Sequence, residues 1–203
     1  TADLHHIKEL MDDIYSGKWV STGISKGGQT TIFYRYFFPD DVDVSVPYVA
    51  PLTLDFEDTR IYTFLDTVGT QECRDGILAA QKRMLDNREQ ALSSLEWYSR
   101  GANLEFTYHT LEEAFEFAVL EYPFSFWQWG TSCADLPSDT TSFDDFMKHF
   151  IRVSGVDFFS DEQVDAYSSH YYQAASQMGY YGYETEELKG LLKALPMNPH
   201  PHA

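Results

Sequence analysis

Apolar side chains recur every three to four residues at the start of the chain, and this spacing predicts an amphipathic helix over residues 3–15. Residues 18–22 then favour a strand that runs into a tight turn, and residues 29–38 favour a buried helix. A second strand is predicted over residues 42–50, alternating at first and then buried, despite Pro47. The order helix, strand, turn, helix, strand indicates two parallel strands joined by a right-handed crossover.

The pattern changes after Pro51. We predict an irregular stretch over residues 53–71 and then one long helical face from Cys73 to Leu95. A Ser or Thr followed three residues later by an acidic or amide side chain marks three further helix starts, and Pro196 stops a last helix. The corresponding helices are predicted over residues 114–122, 142–153, 160–178 and 184–195. The expected fold is an α/β element followed by a mainly helical unit.

The 203 residues carry 14 basic and 32 acidic side chains, which gives a formal net charge of −18. Residues 1–50 contribute −3 of this charge and residues 51–203 contribute −15. Such acidity argues against nucleic acid or an anionic membrane as a partner. No apolar run approaches the roughly 20 residues of a membrane-spanning helix, and we see no signal peptide in this chain. The acidity has two readings, a solvated surface or a cleft that attracts a cation such as the ammonium group of a peptide N-terminus.

Two cysteines, Cys73 and Cys133, either form one disulfide or remain two buried thiols. Their spacing does not support a zinc site. The acidic run Asp40–Asp43 lacks the glycine and the distal Glu of a calcium loop, so we interpret it as a polar turn. We therefore expect neither a metal nor a cofactor.

The segment Gly23–Gly27 fits the pattern G-x-S-x-G between a predicted strand and a predicted helix, which is the setting of a nucleophile elbow. There the nucleophile Ser25 occupies a strained left-handed conformation, and we expect any Cβ at Gly23 or Gly27 to collide with neighbouring backbone. The backbone N–H of Lys26, at the start of the helix, is the expected oxyanion donor. The alternative is an ordinary glycine-rich turn between a strand and a helix.

A nucleophilic serine needs a histidine base and an acid that orients it. His109 and His170 lie in the helical region, where either is a weak choice, and His5, His6 and His149 read as surface or helix-face residues. We therefore expect the base and the acid to lie outside these 203 residues.

The stretch Gly17–Gly28 resembles the elbow of the secreted prolyl tri/tetrapeptidyl aminopeptidases, α/β-hydrolase serine peptidases distantly related to lysosomal Pro-Xaa carboxypeptidases. Four later segments, and Cys133, strengthen the likeness over residues 1–197: Tyr48–Pro51, Asp58–Arg60, Phe64–Arg74 and Phe126–Gly130. The resemblance implies a partial α/β-hydrolase core over residues 1–55, a helical cap over residues 56–197 and a frayed tail over residues 198–203.

The same resemblance implies a secreted or periplasmic serine exopeptidase that releases short peptides from peptide N-termini, including cleavage after proline, through an acyl-enzyme on Ser25. The family's remaining sheet, with its catalytic Asp and His, has no counterpart in this chain. The expected partners are therefore a peptide substrate and the remainder of the same polypeptide, or a complementary fragment.

An aminopeptidase must hold the ammonium group of its substrate, and a carboxylate in the pocket can do so. Glu57, Asp58 and Glu121 are the carboxylates we select for this role, with a solvated or Arg-paired state, for example with Arg60, as the alternative. The aromatic run that contains Trp127 and Trp129 could pack against proline rings, or it could be core between helices.

Two other functions fit parts of the sequence. An α/β-hydrolase esterase or lipase would share the elbow, although the acidic cap suits peptide amines better. A non-catalytic helical binding module could retain an elbow-like turn.

Overall fold

The computed structural model describes residues 1–196, which form two compact units, Thr1–Thr53 and the residues from Leu54 onward. Its secondary structure is mostly helical, with one small sheet of two parallel strands. The tail predicted over residues 198–203 lies outside the described residues. Within residues 1–196, every helix is too short or too polar to cross a membrane.

The first unit, which we call the elbow unit, has the predicted order of helix, strand, helix and strand. Its two strands are parallel, as predicted, and Ser21 pairs with Ser45 while Gly23 pairs with Pro47. The elements are α1 (Ala2–Asp12), β1 (Val20–Ile24), α2 (Lys26–Phe37) and β2 (Val44–Tyr48).

The end of β2 was predicted to be buried, and this prediction is wrong. Tyr48 and Val49 are exposed, and so are Val20 and Ile24 on β1. The reason is that side chains along β1 alternate between exposed and half-buried positions, so one face of the two-stranded sheet is left uncovered. The elbow unit therefore presents apolar side chains that a further element could cover.

The second unit, which we call the helical unit, is built around one long central helix. The capping box of Thr110 and Glu113 and the Ser142 cap are both present, as predicted. The helices are α3 (Arg60–Thr67), α4 (Gln71–Asp86), α5 (Arg88–Ala102), α6 (Leu111–Gln128), α7 (Phe143–Val153) and α8 (Asp161–Gln173), and α8 continues as a π-helical turn over Ala174–Met178.

Helix α6 continues six residues beyond its predicted end at Tyr122, straight through Pro123. A proline inside a helix cannot donate to the carbonyl four residues earlier, here that of Val119. The side-chain amide of Gln81 on α4 donates to that carbonyl at 2.8 Å. A buried partner from another helix thus replaces the missing backbone bond and lets α6 run on.

Three other helix predictions in this unit are wrong. Helix α3 forms inside the stretch predicted to be irregular, and the helix predicted from Cys73 to Leu95 is broken at Asn87. Asn87 ends α4 with its side chain donating to the Arg83 carbonyl at 2.8 Å, and α5 starts directly after it, with the Asn87 carbonyl accepting from the Ala91 N–H at 3.0 Å.

The last predicted helix, residues 184–195, is reduced to a 3₁₀ turn over Glu186–Leu188. Gly190 has φ +86°, which interrupts the helical backbone conformation. Beyond it, the backbone N–H groups of three successive residues donate to the fully buried carboxylate of Glu116 on α6 instead of forming a helix; they belong to Lys193, Ala194 and Leu195. The end of the described chain is therefore fastened to the core by a side chain.

A disulfide joins Cys73, in the first turn of α4, to Cys133, with an S–S distance of 2.02 Å. The bond links residues 60 positions apart. Closing a loop of this size restricts the unfolded chain and stabilises the fold by roughly 4 kcal/mol in the chain-entropy model.

Candidate active site

Ser25 lies at the junction of β1 and α2, with backbone φ 54° and ψ −120°. Positive φ is uncommon for a residue with a side chain and persists only where neighbouring structure enforces it. The Ser25 N–H donates to the carbonyl of Tyr48 on β2 at 3.0 Å, and its own carbonyl accepts from the Gln29 N–H at 3.0 Å. The strained conformation is thus held from both sides, while the serine itself remains exposed.

The glycines around Ser25 have unequal roles. A Cβ on Gly23 would lie 2.3 Å from the carbonyl carbon and oxygen of Gly27, so the turn requires glycine at position 23. The prediction for Gly27 is wrong, because a Cβ there would meet nothing within 4 Å. Gly28 fills that role instead, since its Cβ would lie 2.7 Å from the Tyr48 carbonyl oxygen. The close approach of α2 to β2 depends on Gly28.

We expect Gly23→Ala to lower the free energy of unfolding by about 2 kcal/mol or more, because the collision is with backbone that cannot rotate away. Gly27→Ala is the matched control. It adds the same methyl group in open space inside a helix, and we expect it to raise stability by about 0.5–1 kcal/mol. Urea unfolding of both variants measures the difference. Equal destabilisation by the two substitutions would contradict this packing of the turn.

Lys26 is the first residue of α2, and the first N–H groups of a helix have no partner within it. Those groups, and the positive end of the helix dipole, favour negative charge that develops beside Ser25. The arrangement is suited to stabilise an oxyanion, and the role assigned to the Lys26 N–H stays a prediction.

Neither histidine of the elbow unit lies at the turn. His5 pairs with Asp41 at 2.7 Å, and the Tyr34 hydroxyl shares the same carboxylate oxygen at 2.7 Å. Tyr34 lies nine residues beyond Ser25 on α2, about 13 Å along the helix axis. This histidine–aspartate pair therefore belongs to the opposite end of α2, and His6 is exposed on α1.

The three histidines of interest in the helical unit have other contacts. His109 meets the ring of Phe117 edge-on, and His170 lies against Tyr171 and Tyr180. His149 lies on α7, which agrees with its interpretation as a helix-face residue, and it is buried rather than exposed at the surface. Its ring bonds the Tyr122 hydroxyl at 2.8 Å, and burial lowers its pKa.

Asp58 and Glu57 have partners within the helical unit. Asp58 forms a two-point ion pair with Arg60, with N–O distances of 2.7 Å and 2.5 Å, which is the Arg-paired alternative. The Arg60 hydrogen bonds lower the pKa of this carboxyl. Glu57 accepts a hydrogen bond from the Tyr62 hydroxyl and lines a cavity of the unit.

Glu121 lies buried on α6, where two tyrosine hydroxyls donate to it. Tyr183 donates at 2.7 Å and Tyr181 at 3.0 Å. Burial raises the pKa of Glu121 to about 7 from 4.5, and these two hydrogen bonds oppose the shift. Glu121 thus fastens the segment around Tyr183 to α6.

The raised pKa of Glu121 predicts a pH-dependent stability. The folded state holds the proton more tightly than the unfolded state, so stability from this group falls as pH rises from about 4.5 to 7. As the pH rises from 5 to 8, we expect the free energy of unfolding of Glu121→Gln to increase by about 2–3 kcal/mol relative to that of wild type. The lowered pKa of buried His149 makes its contribution to stability rise with pH. Because His149 is present in both proteins, comparing the variant with wild type at each pH removes this contribution. A difference that stays constant between pH 5 and pH 8 would contradict the prediction.

The two tryptophans selected from the sequence have different surroundings. Trp127 is half-buried against Phe126, and its ring covers Gly69 so closely that a Cβ there would lie 2.4 Å from the indole. Trp129 is 73% exposed. Trp127 lines the same cavity as Glu57, and Trp129 does not.

The acidic run at Asp40–Asp43 bonds to protein groups. Asp41 accepts from Tyr34, and Asp43 accepts from the Trp19 N–H at 2.9 Å and pairs with Lys18 at 2.5 Å. Across residues 1–196, no group of three or more His, Cys, Asp or Glu side chains has the arrangement of a metal site.

A cavity of about 960 Å³ in the helical unit contains acids that the sequence analysis missed. Asp66 on α3 and Glu184, after the tyrosine segment, both line it. The surplus of acid after residue 50 was the available signal, but 118 positions separate the two residues and no local pattern connects them.

Comparison with known proteins gives two matches. The model of the family described as PS-10 peptidase S37 matches residues 1–188. The prolyl tri/tetrapeptidyl aminopeptidase of Streptomyces mobaraensis is 31% identical over 196 residues, which cover 95% of this chain and 41% of the relative. The chain thus spans about two fifths of the length of that curated relative. No solved structure matches this chain.

Proposed function

The chain belongs to the PS-10 peptidase S37 family, and from this membership we propose that it carries the nucleophile of a serine exopeptidase. The enzyme releases short peptides from the N-termini of its substrates, including cleavage after proline. The observation that carries the proposal is the conformation of Ser25, held at φ 54° between β1 and α2 with its side chain exposed. The name of the Streptomyces relative supports the substrate class.

In the proposed reaction, the Ser25 Oγ attacks the carbonyl carbon of the scissile peptide bond while a base takes the hydroxyl proton. The tetrahedral oxyanion accepts a hydrogen bond from the Lys26 N–H at the start of α2. The intermediate expels the amine, which takes the proton from the base, and leaves the N-terminal fragment as an ester on Ser25. Water, activated by the same base, then hydrolyses the ester.

The base and the orienting acid come from outside residues 1–203 in this proposal. His5 is engaged with Asp41 at the far end of α2, and the described sheet has only two strands with exposed apolar side chains. The remainder of the same polypeptide, or a complementary fragment, would extend the sheet of an α/β-hydrolase core over these side chains and bring the two groups to Ser25.

The helical unit is the proposed cap, which closes over the substrate and limits its length. Its size, acidity and aromatic content support this role, since a cap for peptide N-termini must meet an ammonium group. A secreted or periplasmic location is also proposed, because the Cys73–Cys133 disulfide favours an oxidising compartment.

The test uses the protein at its natural length and a ten-residue peptide that has a free N-terminus and proline at its third position. Mass spectrometry should first detect the N-terminal tripeptide. A second peptide with proline moved to the seventh position controls for internal cleavage and should release far less product. Initial cleavage at the C-terminal end, or equal cleavage after both prolines, would contradict the proposal.

A further inference from the structure

The cavity in the helical unit has one apolar side. It lies among α3, α4, α6 and the segment from Tyr183 to Leu188, and its volume of about 960 Å³ is that of a small-ligand site. Phe124 and Trp127 of α6 line it beside Pro123 and Leu78. Phe124 stacks on Tyr181 at 4.6 Å between ring centroids, which fixes its orientation. Such aromatic faces suit proline rings and alkyl side chains.

The other side of the cavity is acidic, and most of its acids already have partners. Glu186 pairs with Lys189 at 3.3 Å, Glu187 pairs with Lys82 at 3.2 Å, and Glu57 binds Tyr62. The single basic residue of the lining, Arg74, donates to the carbonyls of Val68 and Gly69 and to Gln71.

Asp75 accepts a hydrogen bond from the Gln71 side chain at 2.8 Å, and Asp66 and Glu184 are the two remaining acids of the lining. Both line the same cavity, and burial, reinforced by repulsion from the negative charge of Asp66, raises the pKa of the Glu184 carboxyl. Within residues 1–196 neither forms an ion pair with Lys or Arg. A ligand cation between them would relieve this repulsion.

We propose that this cavity takes the N-terminal end of a peptide, with Asp66 and Glu184 binding its ammonium group and Trp127 and Phe124 packing against its first side chains. The proposal rests on the peptidase function above and names the part of the chain that selects a free N-terminus. It shifts this role from Asp58 and Glu121, which are held by Arg60 and by tyrosines, to two other acids.

The segment that carries Glu184 is held against α6 by buried contacts. Tyr183 precedes it directly and donates to buried Glu121 at 2.7 Å, while a Cβ on Gly182 would lie 2.8 Å from Glu57. Glu121 is therefore a positioning residue for the segment that carries Glu184, and it does not contact the proposed ligand.

Binding should be measured on the Ser25→Ala form of the natural-length protein, so that no peptide is consumed. The probes are a tripeptide amide that ends in proline, with a free N-terminus, and the same peptide acetylated at its N-terminus. We expect calorimetry to give at least tenfold tighter binding of the free amine. Asp66→Asn combined with Glu184→Gln should remove that preference and leave the affinity for the acetylated peptide unchanged.

The matched control is the double variant Glu89→Gln and Glu96→Gln, which removes the same charge from exposed positions on α5 and should keep the preference. Trp127→Leu should weaken both peptides alike. Equal binding of the two peptides to the Ser25→Ala form, or a preference that survives the Asp66 and Glu184 substitutions, would overturn the inference. Because this assay needs no Ser25 hydroxyl, its failure is separate from a failure of the peptide-cleavage test.

Discussion

Replacing Ser25 with alanine is expected to lower kcat for peptide hydrolysis by about 10⁴-fold or more, with little change in substrate affinity. In the proposed reaction the Ser25 Oγ attacks the peptide carbonyl, so the acyl-enzyme cannot form once this atom is removed. What remains is the stabilisation of charge by the start of α2, which does not replace a nucleophile. Steady-state kinetics on a prolyl peptide amide, with the protein at its natural length, measures the effect.

Ser16→Ala is the control, because Ser16 is exposed in the same unit and lies before β1. It should retain wild-type kcat. Circular dichroism and thermal melting should show that both variants fold as wild type does, since alanine at position 25 removes one exposed hydroxyl. Loss of less than tenfold in kcat for Ser25→Ala would mean that the elbow is not the reacting site.

The largest expected loss of stability comes from Glu116→Ala. The Glu116 carboxylate is fully buried and accepts hydrogen bonds from Arg88 and from the backbone N–H groups of Lys193, Ala194 and Leu195. Alanine would leave a largely buried guanidinium without its carboxylate and three N–H groups without an acceptor. We expect the free energy of unfolding to fall by about 3–5 kcal/mol.

Glu112→Ala is the matched control one turn earlier on α6, where the side chain is exposed. It should change stability by less than about 1 kcal/mol, the typical value for an acid near a helix start. Chemical unfolding of both variants gives the comparison. Indistinguishable unfolding midpoints would show that Glu116 does not fasten the end of the described chain.

Two features that the sequence predicted correctly are determined by near neighbours. The turn around Ser25 needs glycine at position 23 because residues four apart touch, and this is visible in the G-x-S-x-G spacing. The Thr110 capping box is likewise a contact between residues three apart. Both are local, so a single sequence is enough to predict them.

Two errors in the fold arise where a distant side chain satisfies backbone groups. A proline should have ended α6, but Gln81, 38 positions from Val119, accommodates it. The predicted helix over residues 184–195 does not form because Glu116 binds its N–H groups from 77 to 79 positions away. No periodic pattern in the sequence encodes such partners.

In the candidate site, too, contacts between near neighbours were predicted and contacts between distant residues were not. The Asp58–Arg60 pair was foreseen as an alternative because the two residues are two positions apart. The tyrosines on Glu121 lie 60 and 62 positions along the chain and were not foreseen. The cavity formed with Asp66 and Glu184 depends on still longer contacts, so only the structure could bring them to attention.

The most direct test of the central claim is the location of a fluorophosphonate adduct. The natural-length protein is treated with the reagent, digested and analysed by mass spectrometry. Nucleophilic Ser25 predicts one adduct per chain, on the peptide that contains Ser25, together with full loss of peptidase activity and no labelling of Ser25→Ala. An active peptidase that carries the adduct on another residue, or that resists the reagent, would contradict the account.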